Sequence, residues 1–191
     1  MKRIALFASG SGTNVENIAN YFKASNEIEC SLVLVNKKDA FVIERAKKLN
    51  IPSRVFSRDE FYKSNKILDI LNEYNIDLVV LAGFLWLVPN NLINKYADRI
   101  INIHPALLPK YGGKGMYGSK VHEAVVANNE TESGITIHLV NEKYDDGAIL
   151  SQAKCMVLAS DNAYDVASKV HVLEYEYFPK VIEQYISDYF K

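Results

Sequence analysis

An amide and an imidazole stand two positions apart in the segment 101–105, which reads INIHP. Side chains alternate between the two faces of an extended strand, so Asn102 and His104 are predicted to share one face while the flanking isoleucines enter the core. Histidine gains or loses a proton near neutral pH, and an amide can hold a developing oxyanion without changing charge. The pair predicts acid–base chemistry at the end of a strand, and a histidine that is merely hydrogen-bonded there is the structural alternative.

A glycine-rich loop, Ser9-Gly10-Ser11-Gly12-Thr13-Asn14, is predicted where the first strand turns into the first helix. Glycine permits a tight turn, and the free N–H groups at a helix N-terminus form an anion site. A dinucleotide fingerprint would require glycine where Val15 stands and an acid where Asn36 follows the second strand. No GK[ST] sequence is present, which excludes a nucleotide-triphosphate loop. A generic phosphate cradle and a plain capped turn both remain open, and the cradle residues would be Gly12, Thr13 and Asn14.

A second candidate group lies in the turn Tyr144-Asp145-Asp146-Gly147, after a strand that contains His138. Paired acids before glycine are common in turns for purely backbone reasons. If this turn faces His104, however, Asp145 could orient the imidazole and favour its charged form.

The loop 104–118 carries two prolines and four glycines, too many for a helix or a central strand. Long loops in compact domains are more often functional than idle. Lys110 and Lys114, followed by His122, suit a mobile cover over an anionic substrate, although a solvated turn has the same composition.

Short apolar runs alternate with stretches of helical periodicity over the first hundred residues, a pattern typical of βαβ units. Strands are predicted at 4–8, 31–35, 54–56, 78–81, 100–103, 134–140 and 149–157, the last two antiparallel. Helices are predicted at 14–23, 40–50, 59–74, 119–128 and 161–190; Ser57 and Glu60 have the spacing of a capping box, and Pro179 should kink or break the last helix. The expected fold is α/β: a Rossmann-like open sheet, mainly parallel with mixed C-terminal strands, and helices on both faces.

The chain has 191 residues, a formal net charge of −1 and 49% hydrophobic side chains, ordinary proportions for one globular domain. A near-neutral balance gives no drive towards nucleic acid or anionic lipid. The apolar run at 4–8 is too short for a secretion signal or a membrane span. Cys30 and Cys155 lie outside any CxxC or Cys/His pair, so they indicate neither a metal nor a redox site. We therefore expect a cytoplasmic domain that acts on small molecules.

Four segments carry a resemblance to a known family: ASGSGTN at 8–14, LAGF at 81–84, NIHPALLP at 102–109 and DDG at 145–147. In this order, they resemble the phosphoribosylglycinamide formyltransferases of the folate-dependent formyltransferase superfamily. The resemblance implies transfer of a formyl group from 10-formyltetrahydrofolate, as co-substrate, to the amine of glycinamide ribonucleotide in de novo purine biosynthesis, without a metal. It also implies one formyltransferase domain, 1–191, with a phosphate-binding half at 1–100 and a catalytic and folate-binding half at 101–191.

The resemblance assigns roles residue by residue. The catalytic residues would be Asn102, His104 and Asp145. The ribonucleotide would contact Gly12, Thr13 and Asn14 through its phosphate and Glu174 through its ribose, and His171 would help hold the phosphate. The folate would contact Arg58, Leu85, Trp86, Leu87, Val88, Asn102, Val140, Asn141, Glu142, Lys143 and Tyr144. Trp86 stands where many relatives have arginine, and the loop 112–119 is longer than in the best-known members.

The expected mechanism is direct attack of the neutral amine on the formyl carbon through a tetrahedral intermediate. His104, made cationic by Asp145, would act with Asn102 on the negative oxygen. Three alternatives remain: another 10-formyltetrahydrofolate-dependent formyltransferase, a deformylase, and a non-catalytic module that binds phosphate esters. The chain is expected to act as a monomer or a homodimer.

Overall fold

The computed structural model describes residues 1–190, which form a seven-stranded sheet flanked by helices. The strands are β1 (Lys2–Ala8), β2 (Ile28–Val35), β3 (Ser53–Val55), β4 (Leu78–Leu81), β5 (Ile100–His104), β6 (Glu132–Leu139) and β7 (Ile149–Met156). The helices are α1 (Thr13–Phe22), α2 (Val42–Lys48), α3 (Arg58–Tyr62), α4 (Lys66–Glu73), α5 (Asn90–Lys95), α6 (Ser119–Ala127) and α7 (Ala163–Tyr189).

The strands lie in the order β3-β2-β1-β4-β5-β6-β7. The pairs from β3 to β5 are parallel, whereas β6 is antiparallel to both β5 and β7. The predicted sheet, mainly parallel with mixed C-terminal strands, is therefore confirmed. The strand order reverses between β1 and β4, so a crevice opens at their carboxyl ends, where sheets of this type bind ligands.

Alternate residues of β1, β2, β4 and β5 supply two apolar layers, one on each face of the sheet. Ile101 and Ile103 of β5 join the layer that α1 and α7 cover, whereas Ile100 joins the layer that α4 covers. Because the side-chain period of a strand is two, Asn102 and His104 share the face opposite Ile101 and Ile103. The predicted alternation along β5 is confirmed.

The single helix predicted at 59–74 is wrong, because this segment forms two helices, α3 and α4. Ser57 caps α3 through the predicted capping box with Glu60. The side chain of Ser64 interrupts the helical path: its hydroxyl donates to the Glu60 carbonyl oxygen at 2.9 Å and accepts from the Lys66 N–H at 3.2 Å. Such bonds compete with helical ones, and hydrophobic periodicity does not reveal them.

The break predicted at Pro179 does not occur, because α7 runs unbroken from Ala163 to Tyr189. Proline has no N–H, so the carbonyl of Tyr175, one turn earlier, has no helical donor. Asn17 of α1 supplies a replacement, since its Nδ2 donates to the Tyr175 oxygen at 2.9 Å. A contact between two helices thus satisfies the group that proline leaves unpaired.

Within residues 1–190, no helix is both long enough and apolar enough to cross a membrane. Cys30 and Cys155 are free thiols, partly buried against the apolar layer under α1 and α7.

Candidate active site

A cavity of about 650 Å³ opens at the carboxyl ends of β1, β4 and β5, in the crevice where the strand order reverses. The glycine loop after β1 forms one wall, and the loop 113–118 and the turn at 144–145 form another. The structure therefore brings many of the predicted groups together. Those lining the cavity are Gly12, Thr13, Asn14, Leu85, Asn102, His104, Tyr144, Asp145, His171 and Glu174.

His104 lies at the end of β5 with a side chain that is only 4% exposed. Its Nε2 is 2.7 Å from the carbonyl oxygen of Tyr111, and a carbonyl can only accept, so this nitrogen carries a proton. Its Nδ1 faces Oδ2 of Asp145 at 3.5 Å. Nδ1 is therefore the nitrogen with capacity to exchange a proton with a substrate.

The expectation that Asp145 makes His104 cationic is corrected by the burial of the ring. Burial lowers the pKa of His104 below its ordinary value, and this effect outweighs the opposing influence of the Asp145 carboxylate and the Tyr111 carbonyl. At neutral pH the ring is therefore neutral, with an unprotonated Nδ1. A ring in this state accepts a proton more readily than it donates one.

Asn102 is held by His138, a residue that was not among the predicted site residues. The two stand opposite each other across the antiparallel pair β5 and β6, with Nδ2 of Asn102 3.0 Å from Nε2 of His138. His138 Nδ1 lies 2.8 Å from the Leu139 carbonyl oxygen, which can only accept, so this nitrogen donates to it and the orientation of the ring is fixed. The ring in turn holds one edge of the Asn102 amide, which lines the cavity.

Asp145 occupies a left-handed backbone conformation, with φ of +52°. Its Oδ2 accepts from the N–H of Gly113 at 2.9 Å, and its Oδ1 lies 3.7 Å from Nε2 of His138. Burial alone would raise the pKa of Asp145, but its contacts with His138, His104 and the Gly113 N–H lower it below the ordinary value. The carboxylate is therefore charged at neutral pH and stands ready to stabilise a cation on His104.

Close packing explains why the turn after Asp145 ends in glycine. A Cβ on Gly147 would lie 1.8 Å from the carbonyl oxygen of Leu139, a contact that no larger residue could make without moving the backbone. This approach ties the turn to the end of β6 and so fixes the carboxylate relative to His104.

The glycine loop leads directly into α1, with Gly12 at φ of +76° immediately before the first helical residue. A Cβ on Gly12 would lie 2.3 Å from Cγ2 of Val42, so both the backbone angle and the packing require glycine. The first N–H groups of a helix have no partners within it. Thr13 and Asn14 line the cavity, so the positive end of the α1 dipole lies at the cavity wall.

Asn14, Glu174 and His171 form a hydrogen-bonded cluster beside this loop. The Nδ2 of Asn14 and the Nδ1 of His171 lie 3.0 Å and 2.9 Å from the same oxygen, Oε2 of Glu174. A carboxylate accepts only, which fixes the Asn14 amide with its nitrogen towards Glu174 and its oxygen elsewhere. The bond to Glu174 is also the main reason that the pKa of His171 lies above its ordinary value. His171 is half exposed and is the more readily charged of the two histidines near Glu174.

Two cavity residues were not among the site residues that the resemblance assigned, although the sequence placed one of them, His122, after the loop expected to cover an anionic substrate. His122, on α6, is 4% exposed and lines the cavity beside the Glu174 cluster. Lys37 follows β2 and also lines the cavity, where its ammonium group adds positive charge. It comes directly after Asn36, the position where dinucleotide folds carry an acid, so the end of β2 offers a cation and no carboxylate for a ribose hydroxyl.

An aromatic cluster lies next to the cavity and contains part of the predicted folate set. The guanidinium carbon of Arg58 lies 5.2 Å from the ring centre of Tyr62 and 5.6 Å from that of Trp86. Trp86 also contacts Phe56, Phe61 and Phe84 edge-on or tilted, at centroid distances of 5.7 to 6.2 Å. Arg58 and Trp86 are therefore in contact, and the Trp86 ring packs between the Arg58 guanidinium group and these phenylalanine rings.

The structure brings together only part of the predicted folate residues. Leu85, Asn102 and Tyr144 line the cavity. Val88 is buried in the apolar layer under α4, and Val140 packs against that layer. The predicted residues outside the cavity wall are Arg58, Trp86, Leu87, Val88, Val140, Asn141, Glu142 and Lys143.

Among the 190 described residues, no group of three or more His, Cys, Asp or Glu side chains is arranged to hold a metal ion.

Comparison with known proteins decides the family. The sequence model of the formyl transferase family matches residues 2–182. The chain belongs to the formyl transferase family. A phosphoribosylglycinamide formyltransferase of Haemophilus influenzae is 36% identical over 190 residues, which cover 96% of this chain and 86% of that protein.

Two further similarities extend along the formyl transferase domain. The chloroplastic phosphoribosylglycinamide formyltransferase of Arabidopsis thaliana is 40% identical over 187 residues, and the match covers 95% of this chain but 64% of that longer protein. The crystal structure of phosphoribosylglycinamide formyltransferase from Bacillus halodurans superposes with a TM-score of 0.87 at 35% identity, covering 97% of this chain and 96% of the other. The arrangement of strands and helices described above is thus that of a formyl transferase.

Proposed function

We propose that this chain transfers the formyl group of 10-formyltetrahydrofolate to the amine of glycinamide ribonucleotide. The products would be formylglycinamide ribonucleotide and tetrahydrofolate. The relatives described above are named phosphoribosylglycinamide formyltransferases, which supports this choice of the two substrates. The reaction would belong to purine biosynthesis.

One observation carries the proposal: a single cavity is lined both by the His104–Asp145 pair and by the N-terminal residues of α1. His104 faces Asp145 at 3.5 Å in the cavity that Leu85 and Tyr144, two of the predicted folate residues, also line. The N-terminus of α1 and the neighbouring Lys37 offer positive charge to a phosphate in the same space. A volume of about 650 Å³ accommodates two small reactants at once.

The first step follows from the neutral state of His104. The substrate amine attacks the formyl carbon as a free base, and the new C–N bond gives a tetrahedral intermediate with a negative oxygen and a positive nitrogen. The unprotonated Nδ1 of His104 takes the proton from that nitrogen. Asp145, 3.5 Å away, then lowers the energy of the imidazolium through its negative charge.

The second step returns the proton. The Asn102 amide would donate a hydrogen bond to the negative oxygen, while His138 keeps the amide in place. The imidazolium of His104 delivers its proton to the folate nitrogen as the bond between that nitrogen and the formyl carbon breaks. The carbonyl re-forms on the product amine, and His104 returns to its neutral form.

The folate is proposed to lie beside Leu85, Asn102 and Tyr144, with the aromatic cluster of Arg58 and Trp86 at the outer edge. The Arg58 guanidinium offers charge to a carboxylate of the glutamate tail. Free thiols at Cys30 and Cys155 fit a reducing compartment, and we propose the cytoplasm.

An assay with purified protein tests the proposal. Glycinamide ribonucleotide and 10-formyltetrahydrofolate are mixed with the protein, and folate deformylation is followed by absorbance with and without the ribonucleotide. Turnover that depends on the amine supports the transferase. Turnover without the amine would identify a hydrolase, and no turnover with intact ligand binding would leave a binding module.

A further inference from the structure

Two buried polar atoms near the Glu174 cluster have no hydrogen-bond partner among the described residues. They are Oδ1 of Asn14 and Nδ1 of His122. Asn14 is 8% exposed and His122 is 4% exposed, and both side chains line the cavity. Buried polar atoms are nearly always paired in folded proteins, so two such atoms at one cavity wall indicate a ligand that pairs with them.

The chemistry of these atoms identifies the ligand group. The amide nitrogen of Asn14 donates to Glu174 at 3.0 Å, so the unpaired atom is the amide oxygen Oδ1. An amide oxygen can only accept a hydrogen bond. The Glu174 carboxylate also accepts only. A phosphate dianion carries acceptors alone and would be repelled by both groups. A hydroxyl both donates and accepts, so adjacent hydroxyls satisfy the carboxylate, the amide oxygen and an imidazole together.

We propose that His122 and the side chain of Asn14 complete the ribose site expected at Glu174, and that His122 makes this site discriminate against a deoxyribose. This inference rests on the proposed function, because it takes glycinamide ribonucleotide as the ligand. It changes the expected role of Asn14: the backbone N–H belongs to the phosphate site, while the side chain faces the sugar.

The position of His122 follows from the fold. Gly118, with φ of +57°, ends the long loop and starts α6, and His122 is the fourth residue of that helix. Because α6 packs against α7, the ring comes to the side of the cavity where Glu174 lies. The sequence offers no indication that His122 and Glu174 lie close together, since two strands, β6 and β7, separate them along the chain.

The two histidines near Glu174 have opposite electrostatic character. Burial lowers the pKa of His122 below its ordinary value, with a further contribution from the nearby His171. The pKa of His171 is raised by its hydrogen bond to Glu174. Burial favours the neutral form of His122, which suits a hydroxyl, whereas the raised pKa and half-exposed side chain of His171 suit the phosphate.

Calorimetric titration without folate tests the inference. Glycinamide ribonucleotide and its 2′-deoxy and 3′-deoxy analogues are titrated into the wild type, His122→Leu, His122→Asn and Glu123→Ala. Leucine removes the ring nitrogen with similar bulk, and asparagine places a polar atom near the position of Nδ1. Glu123 is exposed on the same helix and serves as the matched control. Thermal unfolding of each variant confirms that it is folded.

The expected result is a selective loss. His122→Leu should bind the ribonucleotide about tenfold more weakly, a typical effect of leaving a buried polar group unpaired. The same variant should lose its preference for the ribonucleotide over one of the two deoxy analogues. His122→Asn should recover part of that preference, and Glu123→Ala should match the wild type.

Two results would overturn the inference, and they differ from failure of the proposed function. If His122→Leu weakens all three ligands equally, the ring does not contact a ribose hydroxyl. If it changes none of them, the ring takes no part in binding. A wild-type protein that does not bind glycinamide ribonucleotide at all would instead reject the proposed function itself.

If His122→Leu does not fold, the titration of His122→Asn decides. A selective change in the preference between the ribonucleotide and its deoxy analogues supports the inference. An unchanged preference, or equally weaker binding of all three ligands, rejects it.

Discussion

His104 and Asp145 approach to 3.5 Å between Nδ1 and Oδ2, although one residue ends β5 and the other lies in the turn after β6. The opposite ring nitrogen donates to the Tyr111 carbonyl at 2.7 Å, so the ring has one nitrogen fixed and one available. Burial keeps this ring neutral, and the carboxylate stabilises the charge that would form on it during a proton transfer. This arrangement suits a reaction in which His104 acts first as a base and Asp145 stabilises the resulting imidazolium.

Replacing His104 by alanine is expected to lower kcat by about 10² to 10⁴, the usual contribution of a positioned acid–base group. Binding of glycinamide ribonucleotide should remain nearly intact, because the phosphate site proposed at the N-terminus of α1 does not involve this side chain. Steady-state kinetics and calorimetry together check both statements. A loss of less than about tenfold in kcat would remove His104 from the chemistry.

Asp145→Asn should shift the acid side of the pH–rate profile. The base must be neutral, so kcat/KM in the wild type rises with pH through the His104 pKa, which lies below the ordinary value of about 6.5. Without the carboxylate that pKa falls further, and the acid limb should move to lower pH by roughly one unit. The plateau should also fall, because the imidazolium loses its partner.

Asparagine keeps the left-handed backbone and an acceptor for the Gly113 N–H, so Asp145→Asn removes charge with little change of shape. The profile of kcat/KM from pH 5 to 9 is the measurement. An acid limb that stays in place, or moves to higher pH, would contradict the role assigned to Asp145.

Asn14→Ala is expected to raise KM for glycinamide ribonucleotide about tenfold while kcat changes little. The amide bonds to Glu174 at 3.0 Å and presents its oxygen to the cavity, so its removal loosens the ribonucleotide side and leaves His104 untouched. Initial rates at varied ribonucleotide and saturating folate give both constants. An unchanged KM would count against any role of this side chain in binding.

Gly12→Ala should destabilise the protein by about 2 to 4 kcal/mol, because a left-handed residue and an overpacked contact are both costly. The new Cβ would lie 2.3 Å from Cγ2 of Val42. Gly10→Ala is the matched control, since no described atom lies within 4 Å of a Cβ there. Urea unfolding should show a large loss for the first variant and a small one for the second; equal losses would reject the packing argument.

The sequence was sufficient for those features that depend on local pattern. Alternation along β5 placed Asn102 and His104 on one face, and spacing alone found the capping box of Ser57 and Glu60. The order of apolar runs was enough for the sheet, because βαβ units allow few topologies. The position of the glycine loop immediately before α1 was predicted from its glycines and from the helical pattern that follows.

Other features depend on contacts between distant segments, and local pattern does not contain them. His138 meets Asn102 only through the register of β5 with β6, and His122 reaches the Glu174 cluster only through the packing of α6 on α7. The charge state of His104 was expected from its neighbour, whereas the depth of its burial decided it. Burial is a property of the whole fold, so a sequence argument weighs it poorly.

The unbroken path of α7 through Pro179 is the last feature that can be tested. Asn17 donates to the Tyr175 carbonyl at 2.9 Å, in place of the N–H that proline lacks. Asn17→Ala is therefore expected to destabilise the protein by about 1 kcal/mol, the typical net value of one hydrogen bond. In a Pro179→Ala background the backbone N–H returns, so the same replacement of Asn17 should cost clearly less. Chemical unfolding of both single variants and the double variant gives the coupling energy. Strictly additive effects would mean that Asn17 contributes to stability independently of the proline.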